Sequence, residues 1–144
     1  MASVPGFVRR YTRILDALVR KYVGGLDRDV PEVDTTLKRE TISFFAEKLT
    51  SVPEGFTPHS KISKILQHRK DALLGNTQVD WGSAEALAIG SLVGDGIPVR
   101  LCGQDSQRGT FSHRHAVLHD VHNGSQYVPL SNIKEGQGRL DVIN

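Results

Sequence analysis

An α/β fold, with helices leading and a small sheet following, is what this sequence predicts. Three observations carry that expectation. Up to about Leu92, apolar residues recur at three- and four-residue steps, the period of amphipathic helices. Beyond it come short apolar runs of strand length, Ile97–Leu101 and Arg139–Ile143. Glycine- and proline-rich breaks separate the segments. A chain of 144 residues, 38% hydrophobic and 24% charged, fits one globular, soluble domain or part of a larger one.

Residues 3–23 read as a helix. Phe7, Tyr11, Ile14, Leu15, Leu18 and Tyr22 line one face, basic residues line the other, and Gly24-Gly25 stops it. Two tyrosines and a modest apolar face favour packing on a neighbour over lying on a membrane. Residues 26–33, with Pro31, form a linker. Asp34 is expected to cap a second helix running to Thr50, with Leu37, Phe44, Phe45 and Leu49 as its apolar stripe. Pro53, Gly55 and Pro58 then force an extended connection.

A third helix is expected from about Ser60 to Leu74, with Ile62, Ile65, Leu66 and Leu73 inward and Gly75 as its stop. Lys61, Lys64, Arg69 and Lys70 are assigned to a water-facing side, which reads as a solvated face before it reads as a phosphate site. Asp80 caps a fourth helix, Trp81 to Val93. Trp81, Ala84, Ala88 and Leu92 lie along one side of it, and Gly82, Ser83, Ala86 and Gly90 are interspersed. Such small residues permit close approach to a neighbouring element. Gly94-Asp95-Gly96 closes that helix. The strand Ile97–Leu101 leads into the loop Gly103–Gly109. A β-rich region, Ala116–Leu130, carries a hairpin signal at Asn123-Gly124, and Asn132–Gly138 is a turn or short helix before the last strand.

Several function classes fall away. A net charge of +2 without an aromatic-interleaved basic stripe gives no nucleic-acid footprint. No apolar run approaches the roughly 20 residues of a membrane span, and no targeting segment is recognisable. Cys102 is the only cysteine, which excludes an internal disulfide and fits a reducing, cytoplasmic setting. It is expected to pack as a small hydrophobe. The candidate chemistry gathers around residues 98–119, where a short strand runs into a glycine turn carrying a carboxylate and then a basic, imidazole-rich run. Asp105 is either an acid beside a site or a turn former bonding its own backbone. His113, His115, His119 and His122 invite a metal, but Arg114 intervenes and Asp120 is the sole adjacent carboxylate, so none is assigned. Gly94-Asp95-Gly96 followed by Asn123 mimics a diphosphate-and-magnesium motif. That motif needs its aspartate at a strand end, whereas this triplet ends a helix.

From about Leu49 onward the chain resembles the thiamine-diphosphate-dependent first, decarboxylating component of 2-oxoglutarate dehydrogenase, of the transketolase-like superfamily. The resemblance rests on Ser51–Phe56, Asp80–Ala88, Gly96–Leu101, Gly103-Gln104-Asp105-Ser106, Arg108–His119, Asn123-Gly124 and Tyr127–Leu130. It implies a helical lead-in over 1–75 and the start of a pyrimidine-binding domain over 76–144, an incomplete parallel sheet with flanking helices. It places Gln104, Asp105, Arg108, His113 and His115 as cleft-lining candidates for the cofactor. The family's catalytic glutamate is expected beyond Asn144, so no catalytic residue is assigned here.

The resemblance further implies thiamine diphosphate and magnesium in the parent enzyme, with neither expected on this piece alone. As partners it implies the rest of the parent subunit, a second copy in a homodimer, and the lipoyl-bearing succinyltransferase component. The parent would work in the bacterial cytoplasm or the mitochondrial matrix. The rival reading is a non-catalytic interaction module or gene remnant that docks on a partner chain.

Overall fold

The computed structural model describes Leu26 and residues 32–144. The helix expected over 3–23 and most of its linker lie outside the described residues. Two units divide the chain at Thr36/Leu37. In the first, the described stretch includes a local turn in which the Thr36 amide donates to the Asp34 carboxylate at 2.9 Å.

Asp34 is therefore not the helix cap that the sequence predicts. The helix, α1, spans Arg39–Thr50, and Lys38 precedes it without a side-chain cap. Asp34 instead satisfies an amide two residues on, the local bond that aspartate offers in place of helix. Glu40 in the first turn and Lys48 in the last suit the helix dipole. Phe45, Ala46 and Leu49 are buried. Phe44, expected inward, is exposed; it stacks edge-on against Phe45 with Lys48 over its ring.

α2 spans Ser60–Leu73 and α3 spans Trp81–Gly94. His59 caps α2 by accepting from the Lys61 amide, and Asp80 caps α3 by accepting from the Ser83 amide at 2.7 Å, as its sequence position predicts. α3 ends in paired backbone bonds, Gly96 N–H to Val93 and Ile97 N–H to Leu92, with Gly96 at φ +82°. That left-handed closing turn needs a residue without a Cβ. α3 packs through its small-residue face: Gly82, Ser83, Ala86, Gly90, Val93 and Gly94 are buried, while Trp81 and Leu92 are exposed. The core joins these elements through Phe45, Ala46, Leu49, Leu73, Ala86, Val93, Leu130 and Ile133.

β1, Val99–Cys102, pairs in parallel with β4, Leu140–Ile143, in the register Val99↔Leu140 to Cys102↔Ile143. The predicted parallel sheet is thus present as two strands among the described residues. Cys102 sits exposed at the end of β1 rather than packed; strand alternation aims it outward, where the apolar residue type offers no guide. β2, Leu118–His119, and β3, Gln126–Tyr127, form a short antiparallel hairpin. The Asn123-Gly124 signal lies in its connection, but that connection spans 120–125, longer than a tight two-residue turn. Asn132–Gly138 holds no helix; a short 3₁₀ turn, Pro129–Ser131, precedes it. No described helix is long and apolar enough to cross a membrane.

Candidate functional site

The loop leaving β1 is a chain of enforced turns. Asp105, Ser112 and His115 adopt φ of 56°, 55° and 48°. This left-handed region costs a residue with a Cβ about 1 kcal/mol or more, and it persists only where surroundings hold it. Several contacts hold it here. The Gly109 amide donates to the Asp105 carbonyl at 2.7 Å, and both the Arg114 and His115 amides donate to the Arg108 carbonyl at 3.0 Å. The Asp105 carboxylate accepts from Nε and Nη2 of Arg108. Asp105 thus shapes the turn and pairs locally.

Two helices hold the other end of the loop. Arg69, on α2, is only 4% exposed. Its Nη2 donates to the carbonyls of Arg114 at 2.8 Å and His113 at 3.3 Å. The sequence reading placed Arg69 in water, and the structure overturns this. Arg69 shares the buried helical stripe of Leu66 and Leu73 because its guanidinium finds carbonyls that no apolar side chain could satisfy. Burial pulls its pKa down, against the opposing pull of Asp80 and Glu85.

From α3, Glu85 takes both Nε and Nη2 of Arg114 in a forked pair, while Arg114 Nη1 reaches the Ser106 carbonyl at 3.1 Å. The Arg114 hydrogen bonds hold the Glu85 carboxyl below its usual range, outweighing its partial burial. Gly82 lets α3 approach the loop: a Cβ there would lie 2.3 Å from the His113 carbonyl oxygen. Gly109 does the same for the His113 ring, which would lie 2.6 Å from an added Cβ.

The five predicted site residues divide. Asp105, Arg108 and His115 share a cavity of about 260 Å³ with His59, Ile62 and Leu118. His113 opens on a separate cavity of about 520 Å³ between α2 and α3, beside Lys64, His68, Asp80, Trp81 and Phe111. Gln104 is exposed and lines neither. The His115 ring lies 2.9 Å from the Ser112 carbonyl. Burial lowers its pKa over the opposing pull of that hydrogen bond, and Arg69, Arg108 and His113 lower it further. The neutral imidazole, which can donate at one nitrogen and accept at the other, is favoured.

Among the described residues no three His, Cys, Asp or Glu side chains converge as a metal site. Asp120 does different work: it accepts from the Thr57, His122 and Asn123 amides and ties the hairpin connection to the segment before α2. Asp95 is the C-cap of α3, which is the position that the glycine pattern around it predicts.

Sequence reasoning missed Arg69 and Glu85. The available signal was Arg69's place in the 66–69–73 apolar period, where a charged residue calls for a buried partner.

No family model matches the chain. It is similar to curated proteins named 2-oxoglutarate dehydrogenase E1 component. One from Shouchella clausii is 46% identical over 115 residues, one from Oceanobacillus iheyensis 45% over 120, and one from Geobacillus kaustophilus 44% over 115. These matches take in 80%, 83% and 80% of this chain. The chain spans about 12% of the length of each of these relatives.

Proposed function

From a chain similar over most of its length to a segment of the 2-oxoglutarate dehydrogenase E1 component, we propose that it supplies one wall of the cofactor cleft in such a decarboxylating subunit. The parent reaction is oxidative decarboxylation of 2-oxoglutarate with succinyl transfer to a lipoyl group. The observation that carries the reading is the 46% identity across a segment containing the clamped loop. The structure supports it with three non-glycine left-handed residues concentrated there, since such strain gathers where geometry serves a site. In this reading residues 1–75 are the lead-in and 76–144 begin the pyrimidine-binding domain.

The residues fit one end of thiamine diphosphate better than the other. The Asp105–Arg108–His115 cavity has imidazole and apolar walls, His59, Ile62 and Leu118 among them, which suit a planar organic ring. The magnesium that accompanies the diphosphate needs a convergent set of oxygen ligands, and the described residues hold no acidic cluster for one. The bound cofactor would act as the electron sink for decarboxylation. This chain's own part is to present a neutral His115 and to keep Arg108 paired with Asp105. The exposed Trp81 and Phe111 side chains would be covered by other parts of the subunit or its second copy.

Residues 49–144, exchanged into the Geobacillus kaustophilus subunit, test this. The expected result is 2-oxoglutarate-dependent ferricyanide reduction that requires thiamine diphosphate, with none from the 144-residue chain alone. An assembled but inactive chimaera beside an active parent overturns the reading, as does turnover by the chain by itself.

A further inference from the structure

The geometry points to Arg69 as a positioning residue for the histidine-bearing loop, a role that rests on the cleft reading only for its value to catalysis. Arg69 is buried on α2, and one guanidinium nitrogen serves two consecutive carbonyls, those of His113 and Arg114. It holds the peptide between the two side chains that open on different cavities. A backbone fixed at consecutive carbonyls has little freedom to rotate, so the direction of both imidazoles is set from a helix rather than from the loop itself.

The surroundings leave no slack. Gly82 on α3 abuts the same His113 carbonyl, and the Glu85–Arg114 pair anchors the next residue. Among the described residues, none accepts a hydrogen bond from the buried Arg69 Nε.

Lysine is the informative replacement. Arg69→Lys keeps the charge, and with it the direct field on His115, but its ammonium ends one atom short of the place of Nη2, so from the same helical position it does not serve both carbonyls. The 144-residue chain carrying Arg69→Lys is compared with its parent by amide hydrogen exchange and by NMR titration of the His115 ring. The expected result is a helical signal like the parent's, exchange at residues 108–116 faster on the order of tenfold, and a His115 midpoint moved up toward the ordinary imidazole value as burial is relaxed. Gly82→Ala, which pushes the same carbonyl from α3, is expected to move the same signals with Arg69 intact. Unchanged exchange and an unchanged His115 midpoint in a folded Arg69→Lys chain overturn the assignment. Loss of the helical signal in Arg69→Lys overturns it too, because Arg69 would then belong to the general core. Neither readout involves turnover, so failure here leaves the chimaera experiment standing, and failure there leaves this one.

Discussion

The core between α1 and α3 and the loop that follows β1 are built by opposite means. The core is apolar contact: Leu49, Val93 and Ile133 are almost wholly inaccessible, and Gly94 lets α3 settle onto Phe45. The loop has few apolar anchors of its own. It is held by carbonyls accepting from Arg69, by an ion pair from Glu85, and by backbone bonds that close left-handed turns. Apolar packing is non-directional and tolerates exchange of similar shapes. A hydrogen-bonded clamp fixes direction, and direction is what a side chain facing a ligand requires.

The largest expected effect breaks the core and tests its independence. Leu49→Ala empties a site 1% exposed in the centre of the cluster. Buried leucine truncations cost about 2–5 kcal/mol. Urea unfolding is expected to show a loss in that range, with the local opening of the 108–116 loop, read by amide exchange, unchanged. A loss below about 1 kcal/mol, well short of that range, would mean the cluster is not what holds Leu37–Asn144 together.

A single helix allows the sharper contrast. Gly82→Ala and Gly90→Ala add the same methyl to α3. At Gly90 the new carbon meets Phe45 at 3.4 Å, an ordinary contact, and alanine is the better helix former by about 1 kcal/mol, so a gain of up to that size is expected. At Gly82 the methyl would lie 2.3 Å from a backbone oxygen that no rotamer change can move. Overpacking of this kind costs about 1–3 kcal/mol. Thermal unfolding of both variants checks the pair. The same sign at both positions would show that the loop yields as easily as the core, and the distinction between the regions would go.

How much of this was legible follows from the same distinction. Apolar positions announce themselves by period, so the helices ending at Thr50, Leu73 and Gly94 and the strands at 99–102 and 140–143 were readable within a few residues, while their parallel pairing came from the resemblance. The start of α1 was not, because Asp34 satisfies a local amide as readily as it caps a helix. Trp81 sat on the side of α3 that the sequence singled out, yet it is 89% exposed. A row of large side chains and a row of glycines are both one face of a helix, and only the partner decides which is used. The cavity shared by Asp105, Arg108 and His115 was legible as a cluster in sequence. Its support was not, since an arginine among lysines looks like surface until the carbonyls that it serves are known.

The smallest effect concerns the ion pair, and pH reads it. Arg114 holds the Glu85 carboxyl below its ordinary 4.5 by direct hydrogen bonding. A group with a depressed folded pKa contributes stability fully above its unfolded value and loses it as pH falls through the folded one. Glu85→Gln removes the charge but keeps the shape, leaving one oxygen to accept and an amide facing a guanidinium donor. Both partners keep some solvent contact, so screening limits the pair to about 1 kcal/mol. The variant is expected to be less stable than the parent by about that amount at pH 7, and the gap should close as pH falls below 4.5. Asp80, Asp120 and Asp141 also have lowered pKa values. Both chains therefore weaken in acid, and only the difference between them isolates Glu85. Urea midpoints of the two chains measured from pH 7 to pH 3 decide it. A gap that persists at the acid end would mean that the carboxylate charge is not what grips Arg114, and the loop would then be held from α2 alone.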